Sequence, residues 1–135
     1  MTARVGDALP EFRFGPVDPD FMAAWAVILK DPNPIHLDVA AVKAMGLGTR
    51  RINQGPINLA YLINGVLRAF PAGAIESVTS RFIGNVVEGD LVAVTGTVTS
   101  VESLPVGMLV SCDLVLSVEG RGVAVTGTAR VRLPN

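Results

Sequence analysis

Apolar residues follow two different spacings along the chain. Between residues 20 and 70 they recur every three or four positions, which is typical of helices, and one such stripe contains Phe21, Ala24, Trp25, Ile28 and Leu29. This helix is expected to stop at Lys30-Asp31, because Pro32 disfavours helical geometry in the residue before it. Asp38 is a suitable N-cap for a short second helix that runs to about Met45.

A longer helix is expected after Gly55-Pro56. Proline is favoured one step inside a helix start, because its missing N–H would have no partner there anyway. From Ile57 to Phe70 apolar residues occur on nearly every side of the helix. Such a helix is expected to be buried on every side, so it is the predicted centre of the core.

From residue 74 onward apolar and polar residues alternate, which predicts strands. One face of the clearest strand collects Met108, Val110, Cys112, Leu114, Leu116 and Val118. Further strands are predicted in residues 75–84, 92–98 and 123–133, with an edge strand at 11–15. A sheet with one apolar face needs a cover, which the long helix can supply. We therefore predict an α+β fold, in which a mainly antiparallel sheet of about five strands wraps around a long buried helix, with residues 1–135 as a single domain.

Composition narrows the possible functions. Half of the residues are apolar and 17% are charged, which argues against a disordered chain. The net charge of −1 gives no reason to expect nucleic-acid binding. The single cysteine, Cys112, has no partner for a disulfide or a zinc site and is expected in the core. The sequence shows neither a signal peptide nor an apolar run long enough to cross a membrane, so a cytoplasmic protein without membrane contact is expected.

The strongest candidate chemistry lies in Asp31-Pro-Asn-Pro-Ile-His36-Leu-Asp38. His36 is the only histidine of the chain, and two prolines stand between it and Asp31. Because each proline fixes its own φ and restricts the residue before it, the segment is expected to be a stiff loop. Such a loop can aim a carboxylate and an imidazole at one small volume, as activation of a water requires. Asn33 either fixes the loop through an Asx turn or supports the site, and Asp38 is expected to cap a helix.

On these residues the chain resembles the MaoC-like dehydratases, and within them the short (R)-specific enoyl-CoA hydratases, which have the hot-dog fold. The resemblance rests on three features: Asp31-x-Asn33-Pro34-Ile35-His36-x-Asp38, Gly55 at the start of a long apolar helix, and Arg81-Phe82 with Gly89-Asp90 before a valine-rich strand. It spans nearly the whole chain, from residue 5 to the final strand. The first motif is quite specific, whereas the glycine signals are weak by themselves.

The resemblance implies an enoyl-CoA hydratase that adds water reversibly to a trans-2-enoyl-CoA and gives a (R)-3-hydroxyacyl-CoA. In that family the residues equivalent to Asp31 and His36 hold and activate the water, and a backbone N–H at the position of Gly55 stabilises the thioester oxygen. Negative charge develops on that oxygen, so a helix N-terminus is a sensible place to hold it. No metal or other cofactor is implied, since coenzyme A is part of the substrate.

The resemblance also implies an assembly, because these hydratases work as dimers in which the two sheets are joined. We therefore expect a homodimer, or a heterodimer with a related hot-dog subunit. The high apolar fraction of the chain agrees weakly with an apolar surface buried in an oligomer.

Two positions depart from the family pattern. Relatives usually have a histidine before the helix-start glycine, where this chain has Gln54, and often a serine on the second helical turn, where it has Ile63. Asn58 and Asn64 are candidates to take the place of that serine, and Asn58 is also a candidate substrate contact. These departures leave the Asp31–His36 pair intact and bear on the shape of the substrate.

Four further residues are weaker candidates. Arg50 and Arg51 precede the site-forming helix and are candidates for the phosphates of coenzyme A, because the guanidinium group matches phosphate geometry. A solvated loop explains both arginines equally well. Tyr61 and Trp25 are expected in the core or in a pocket wall, with Tyr61 also a candidate substrate contact.

Three alternatives to a fatty-acyl hydratase stay open. One is a subunit of a heteromeric MaoC-like hydratase that acts on steroid side-chain enoyl-CoA. Another is an acyl-CoA thioesterase of the hot-dog class, which would aim water at the carbonyl carbon and release free coenzyme A. The third is a non-catalytic subunit that completes a partner's pocket, although the intact Asp31–His36 pair argues against it.

Overall fold

The structure is a computed structural model that describes residues 2–135. Its helices are α1 (Pro19–Leu29), α2 (Val39–Ala44) and α3 (Gly55–Ala69), with a short 3-10 helix at Pro34–His36 between the first two. Its strands are β1 (Phe12–Phe14), β2 (Ala74–Phe82), β3 (Val92–Ser103), β4 (Met108–Val118) and β5 (Gly122–Leu133). The helices therefore lie where apolar residues recur every three or four positions, and the four longer strands lie where apolar and polar residues alternate.

The five strands form one antiparallel sheet in the order β1-β3-β4-β5-β2. The inward face of β4 is buried at alternate residues, as its sequence predicts: Val110, Cys112, Leu114, Leu116 and Val118. Helix α3 contacts all five strands and buries Leu62, Val66 and Ala69 in the same core. This confirms the predicted α+β architecture of a five-stranded sheet around one helix.

The prediction that the long helix is buried on every side is wrong for the chain as described. Leu67 is 46% exposed, and Asn64 and Arg68 are exposed beside it, because the sheet covers only one side of α3. The apolar stripe of α1 is also largely outside the core. Its Phe21 is 60% exposed, and the residues that α1 buries are Met22 and Ala26.

The ends of the first two helices follow the expected signals. Asp18 accepts from the N–H of Asp20 and caps α1, which ends at Lys30 in a left-handed conformation with φ of 51°. Asp38 accepts from the N–H of Ala40 at 2.8 Å and caps α2, as predicted. Within residues 2–135 no helix is long and apolar enough to cross a membrane.

Cys112 provides a test of this core. Burial, with a smaller effect from the neighbouring Asp113 carboxylate, raises the pKa of the thiol from 9.0 to about 11. The unfolded chain therefore loses its thiol proton first, and stability falls as pH rises through this window. We expect a loss of about 3 kcal/mol in the free energy of unfolding at the upper end, from the size of the shift.

The free energy of unfolding is measured with urea for wild type and Cys112→Ala between about pH 8 and pH 11, the range in which the thiol loses its proton. Groups other than Cys112 titrate alike in both proteins, so the difference between the two curves isolates the thiol. If the free energy of unfolding changes equally with pH in the two proteins, the folded state does not raise the pKa of the Cys112 thiol.

Candidate active site

The segment from Asp31 to Asp38 is held by its own short hydrogen bonds. The N–H of Asp31 donates to the carbonyl of Ala26 at 2.9 Å, which anchors the loop to the last turn of α1. Oδ1 of Asp31 accepts from the N–H of Asn33 at 3.2 Å, and Oδ1 of Asn33 accepts from the N–H of Ile35 at 3.3 Å. Asn33 thus makes the predicted Asx turn and starts the 3-10 helix that carries His36.

His36 is buried, with 7% of its surface exposed, and each of its ring nitrogens faces a protein oxygen. Nδ1 lies 2.6 Å from the carbonyl oxygen of Ile52. Because a carbonyl oxygen can only accept, Nδ1 must carry a hydrogen and donate it. Nε2 then faces Oδ2 of Asp31 at 3.2 Å. The Ile52 carbonyl therefore selects both the tautomer and the direction of the imidazole.

This arrangement can hold a water between two acceptors. A neutral imidazole with its hydrogen on Nδ1 has a free lone pair on Nε2, and an ionised Asp31 only accepts. One water can donate one O–H to each group, which leaves its own lone pairs directed outward. The side chain of Asp31 is 33% exposed, so the pair can be reached from the surface. The arrangement is suited to general base catalysis on water.

The N-terminus of α3 supplies a free backbone donor. Gly55 is its first residue, and the cap residue Gln54 makes no side-chain capping bond. The N–H groups of Ile57 and Asn58 donate to the Gln54 carbonyl, and Pro56 has none to offer. Within residues 2–135 nothing accepts from the N–H of Gly55. It stands at the positive end of a 15-residue helix, where an oxyanion is favoured.

Phe82 covers the Cα of Gly55 on its outer side. A methyl group added at Gly55 would lie 3.5 Å from Cζ of Phe82, in ordinary van der Waals contact. Phe82 itself is 52% exposed, so it forms an open apolar wall beside the free N–H. The Arg81-Phe82 part of the sequence motif thus lies next to the start of the central helix.

Gln54 joins α1 to α3. Its side chain is fully buried, and Nε2 donates to the carbonyl of Met22 at 2.8 Å. Its Oε1 has no partner within residues 2–135. The amide at this departure from the family pattern therefore has a positioning role, because it fixes α1, the helix before Asp31, against α3, the helix that begins at Gly55.

Asn53 is a buried polar residue just before α3 that sequence reasoning did not single out. Its Nδ2 donates to Oδ1 of Asn58 at 3.0 Å and to the hydroxyl of Tyr61 at 3.2 Å. All three side chains are buried. The side-chain oxygen of Asn58, a predicted substrate contact, therefore already accepts a hydrogen bond from Asn53. The available signal was the position of Asn53 in the Asn-Gln-Gly-Pro run that precedes α3.

Burial raises the pKa of Tyr61, and the hydrogen bond from Asn53 opposes this effect. Tyr61 and Trp25 line one pocket of about 180 Å³ between α1 and α3, so both residues form part of a pocket wall, as expected. Ile63 is half-buried on another side of α3, and Asn64, the second candidate to replace the family's serine, is exposed.

Arg50 and Arg51, in the segment before α3, lie against the turn that contains Glu88. Oε1 of Glu88 accepts from the backbone N–H of Arg51 at 3.0 Å, and Nε of Arg51 lies 3.7 Å from the other carboxylate oxygen. Nη1 of Arg50 donates to the Glu88 carbonyl at 3.4 Å. Both arginines are therefore engaged with protein groups, and Arg50 keeps about half of its side chain exposed.

Asp90 explains the Gly89-Asp90 signal in structural terms. It is only 5% exposed, and its carboxylate accepts from the N–H of Val87 and from Nη1 of Arg121, each at 2.8 Å. Its hydrogen bond raises the pKa of the Arg121 guanidinium. Nη1 of Arg50 lies 3.7 Å from the same carboxylate. Asp90 thus ties the segment before α3 to the β4–β5 turn.

The family is given by the sequence itself. Residues 4–111 match the MaoC-like domain family, so the chain belongs to that family. The candidate pair Asp31–His36 and the helix start at Gly55 all lie within the matched range. No curated protein sequence matches the chain significantly.

Solved structures of this fold resemble the chain over its full length. One is the (R)-hydratase of A. caviae involved in PHA biosynthesis, with 24% identity, a TM-score of 0.85 and 98% of each chain covered. Another is the ChsH1-ChsH2 complex of Mycobacterium tuberculosis, with 24% identity, a TM-score of 0.83 and coverage of 98% of this chain and 99% of that one. The R-hydratase PhaJ1 of Pseudomonas aeruginosa has 24% identity and a TM-score of 0.81, with 98% and 83% covered. These likenesses establish the shared fold.

The role of Asp90 can be tested by Asp90→Asn. The change keeps the shape of the side chain but weakens two charge-assisted contacts in a buried place, so we expect a loss of about 2 kcal/mol in the free energy of unfolding. Glu76→Gln is the matched control, because Glu76 pairs with Arg132 at the surface, and an exposed pair contributes about 1 kcal/mol or less. Equal losses in the two variants, measured by urea unfolding, would contradict the role of Asp90.

Proposed function

We propose that the protein is an enoyl-CoA hydratase, which adds water reversibly to a trans-2-enoyl-CoA and gives a (R)-3-hydroxyacyl-CoA. The observation that carries the proposal is the fixed imidazole of His36. The Ile52 carbonyl holds its Nδ1 at 2.6 Å, so that Nε2 is aimed at the carboxylate of Asp31. Membership of the MaoC-like domain family and the fold shared with (R)-hydratases support the same reaction.

In the proposed reaction the water is held by Nε2 of His36 and Oδ2 of Asp31. Asp31 takes a proton from the water, and the oxygen of that water forms a bond to C3 of the enoyl group. The π electrons move to the thioester, where the carbonyl oxygen gains negative charge and accepts from the N–H of Gly55. The Asp31–His36 pair then returns a proton to C2, so one water is added in total. The reaction needs no metal and no redox cofactor.

The Asp31–His36 mechanism predicts the effects of two conservative variants. Asp31→Asn preserves an oxygen for the Asn33 N–H but places an amide opposite Nε2. His36→Asn preserves a donor near the Ile52 carbonyl but removes Nε2. We expect kcat/KM for crotonyl- or octenoyl-CoA to fall by at least about 100-fold in each variant, because each removes a group that moves or holds the reacting proton.

Loss of the conjugated enoyl absorbance is the measurement, and Asp38→Asn is the matched control. Asp38 lies in the same loop but only caps α2, and asparagine caps helices equally well, so wild-type activity is expected. Activity that persists in Asp31→Asn would overturn the mechanism. Free coenzyme A released at a rate that depends on Asp31, without formation of a hydroxyacyl product, would instead identify thioester hydrolysis.

We further propose that the chain pairs with a second copy or a related subunit along β2. This strand of nine residues lies at the edge of the sheet, and its outer side has no strand partner within residues 2–135. A long uncovered edge is a template for pairing with another chain. Phe82, at the end of β2 and beside Gly55, and Ile83, which follows it, are also exposed, and such apolar surface favours a partner.

Sedimentation velocity tests this assembly. A particle with twice the chain mass of 14.1 kDa is expected for the purified protein. Ile83→Glu places a charge on the proposed apolar contact and should shift the protein toward the monomer, whereas Val106→Glu, on an exposed loop far along the chain, should not. A monomer at micromolar concentrations would count against self-association and direct the search to a partner subunit.

A further inference from the structure

Four of the seven aromatic side chains of the protein surround a single pocket of about 180 Å³. Phe14 comes from β1, Phe21 and Trp25 come from α1, and Tyr61 comes from α3. The Phe14 and Tyr61 rings lie 5.1 Å apart between centroids. Phe21 is 60% exposed and Trp25 is 39% exposed, so much of the aromatic wall faces the solvent. Concentrated aromatic surface around a concave site is a feature of ligand pockets.

The floor of this aromatic pocket is polar and incompletely paired. Asn53 and Tyr61 both line it and are only 5% and 6% exposed. Nδ2 of Asn53 uses its two hydrogens on Asn58 and on the hydroxyl oxygen of Tyr61. Within residues 2–135 no group donates to Oδ1 of Asn53, and the hydroxyl of Tyr61 accepts from Asn53 but donates to nothing, so its hydrogen is free. Burial raises the pKa of Tyr61, so this hydrogen is retained at neutral pH.

The walls of the pocket belong to the elements that carry the candidate catalytic groups. Trp25 lies on α1 six residues before Asp31, and the N–H of Asp31 donates to the carbonyl of Ala26, the residue after Trp25. Asn53 follows Ile52, whose carbonyl orients His36. On α3 the lining begins at Ile57, two residues after Gly55. A group several atoms beyond a thioester bound at Gly55 is therefore within reach of the pocket.

We infer that the aromatic pocket binds the distal end of the acyl group and selects a ring that bears a hydroxyl group. This inference rests on the proposed hydratase function. The aromatic walls favour a ring over a flexible chain, since flat faces can stack on one another. A ring hydroxyl can accept from Tyr61 and donate to Oδ1 of Asn53, which satisfies both free groups. An unsubstituted ring leaves both groups buried and unpaired, which costs affinity.

Two substrates that differ only in this hydroxyl test the inference. One is an enoyl-CoA whose acyl chain ends in a para-hydroxyphenyl ring, and the other ends in phenyl. We expect kcat/KM to favour the hydroxylated substrate by about tenfold in wild type, and the ratio to fall toward one in Tyr61→Phe. Ile28→Ala, exposed on α1 outside the pocket, is the control in which the ratio stays at its wild-type value. A wild-type ratio near one, or a ratio unaffected by Tyr61→Phe in a folded variant, would overturn the inference.

A binding experiment separates this inference from the proposed reaction. Trp25 is the sole tryptophan, so its fluorescence reports directly on the pocket. We expect para-propylphenol to bind saturably and about tenfold more tightly than propylbenzene, in wild type and equally in Asp31→Asn. No saturable change would overturn the pocket, even in a protein that hydrates crotonyl-CoA. Saturable binding with the hydroxyl preference, in a protein that hydrates no enoyl-CoA, would retain the ring site and overturn the reaction.

Discussion

The close approach of α3 to the sheet at Gly65 determines where everything else can lie. A Cβ at this position would stand 2.7 Å from Cγ1 of Val94, well inside contact distance, so only glycine lets the helix rest on β3. Glycine within a helix costs roughly 1 kcal/mol relative to alanine, and the packing of Leu62 and Val66 against the strands offsets that cost. With the helix axis fixed in this way, the position of Gly55 and its free N–H is fixed as well.

Three buried polar contacts then fix the segments around the start of that helix, and two of them reach back to the first third of the chain. Gln54 bonds to the Met22 carbonyl, His36 bonds to the Ile52 carbonyl, and Asn53 bonds to side chains of α3. Hydrogen bonds are directional, so these contacts set the orientation of the groups as well as their distance. Apolar packing alone would hold α1 in place without selecting one tautomer of the imidazole. The unpaired Oε1 of Gln54 shows that this arrangement carries a cost, on the order of 1–3 kcal/mol for a buried orphan acceptor.

The chain leaves two apolar surfaces uncovered. One contains Phe82 and Ile83 at the end of β2, the free edge of the sheet. The other is the aromatic pocket formed with Phe21 and Trp25 of α1. The first is continuous with the unpaired backbone groups of an edge strand, which suits another polypeptide. The second is concave and has a small polar floor, which suits a small molecule. The many apolar residues of the sequence are thus divided between a core and two surfaces, and these two surfaces suit different kinds of partner.

Much of the fold was determined by signals that act over a few residues. Proline at 32 and 34, the caps at Asp38 and Asn33, and the alternation along β4 each fix local geometry, and each was predicted from the sequence. The Asp31–His36 contact belongs to this group, since five positions and two prolines separate its members.

Other features were decided only by tertiary structure. The carbonyl that orients His36 is 16 positions away, the contact between Gln54 and Met22 spans 32, and Asp90 meets Arg121 across 31. No local pattern encodes these pairs, because backbone carbonyls are present at every residue and a polar side chain can satisfy many partners. The outward exposure of the α1 stripe was hidden for a related reason: helical spacing shows that one face is apolar, but only the packing of the whole chain decides what that face meets.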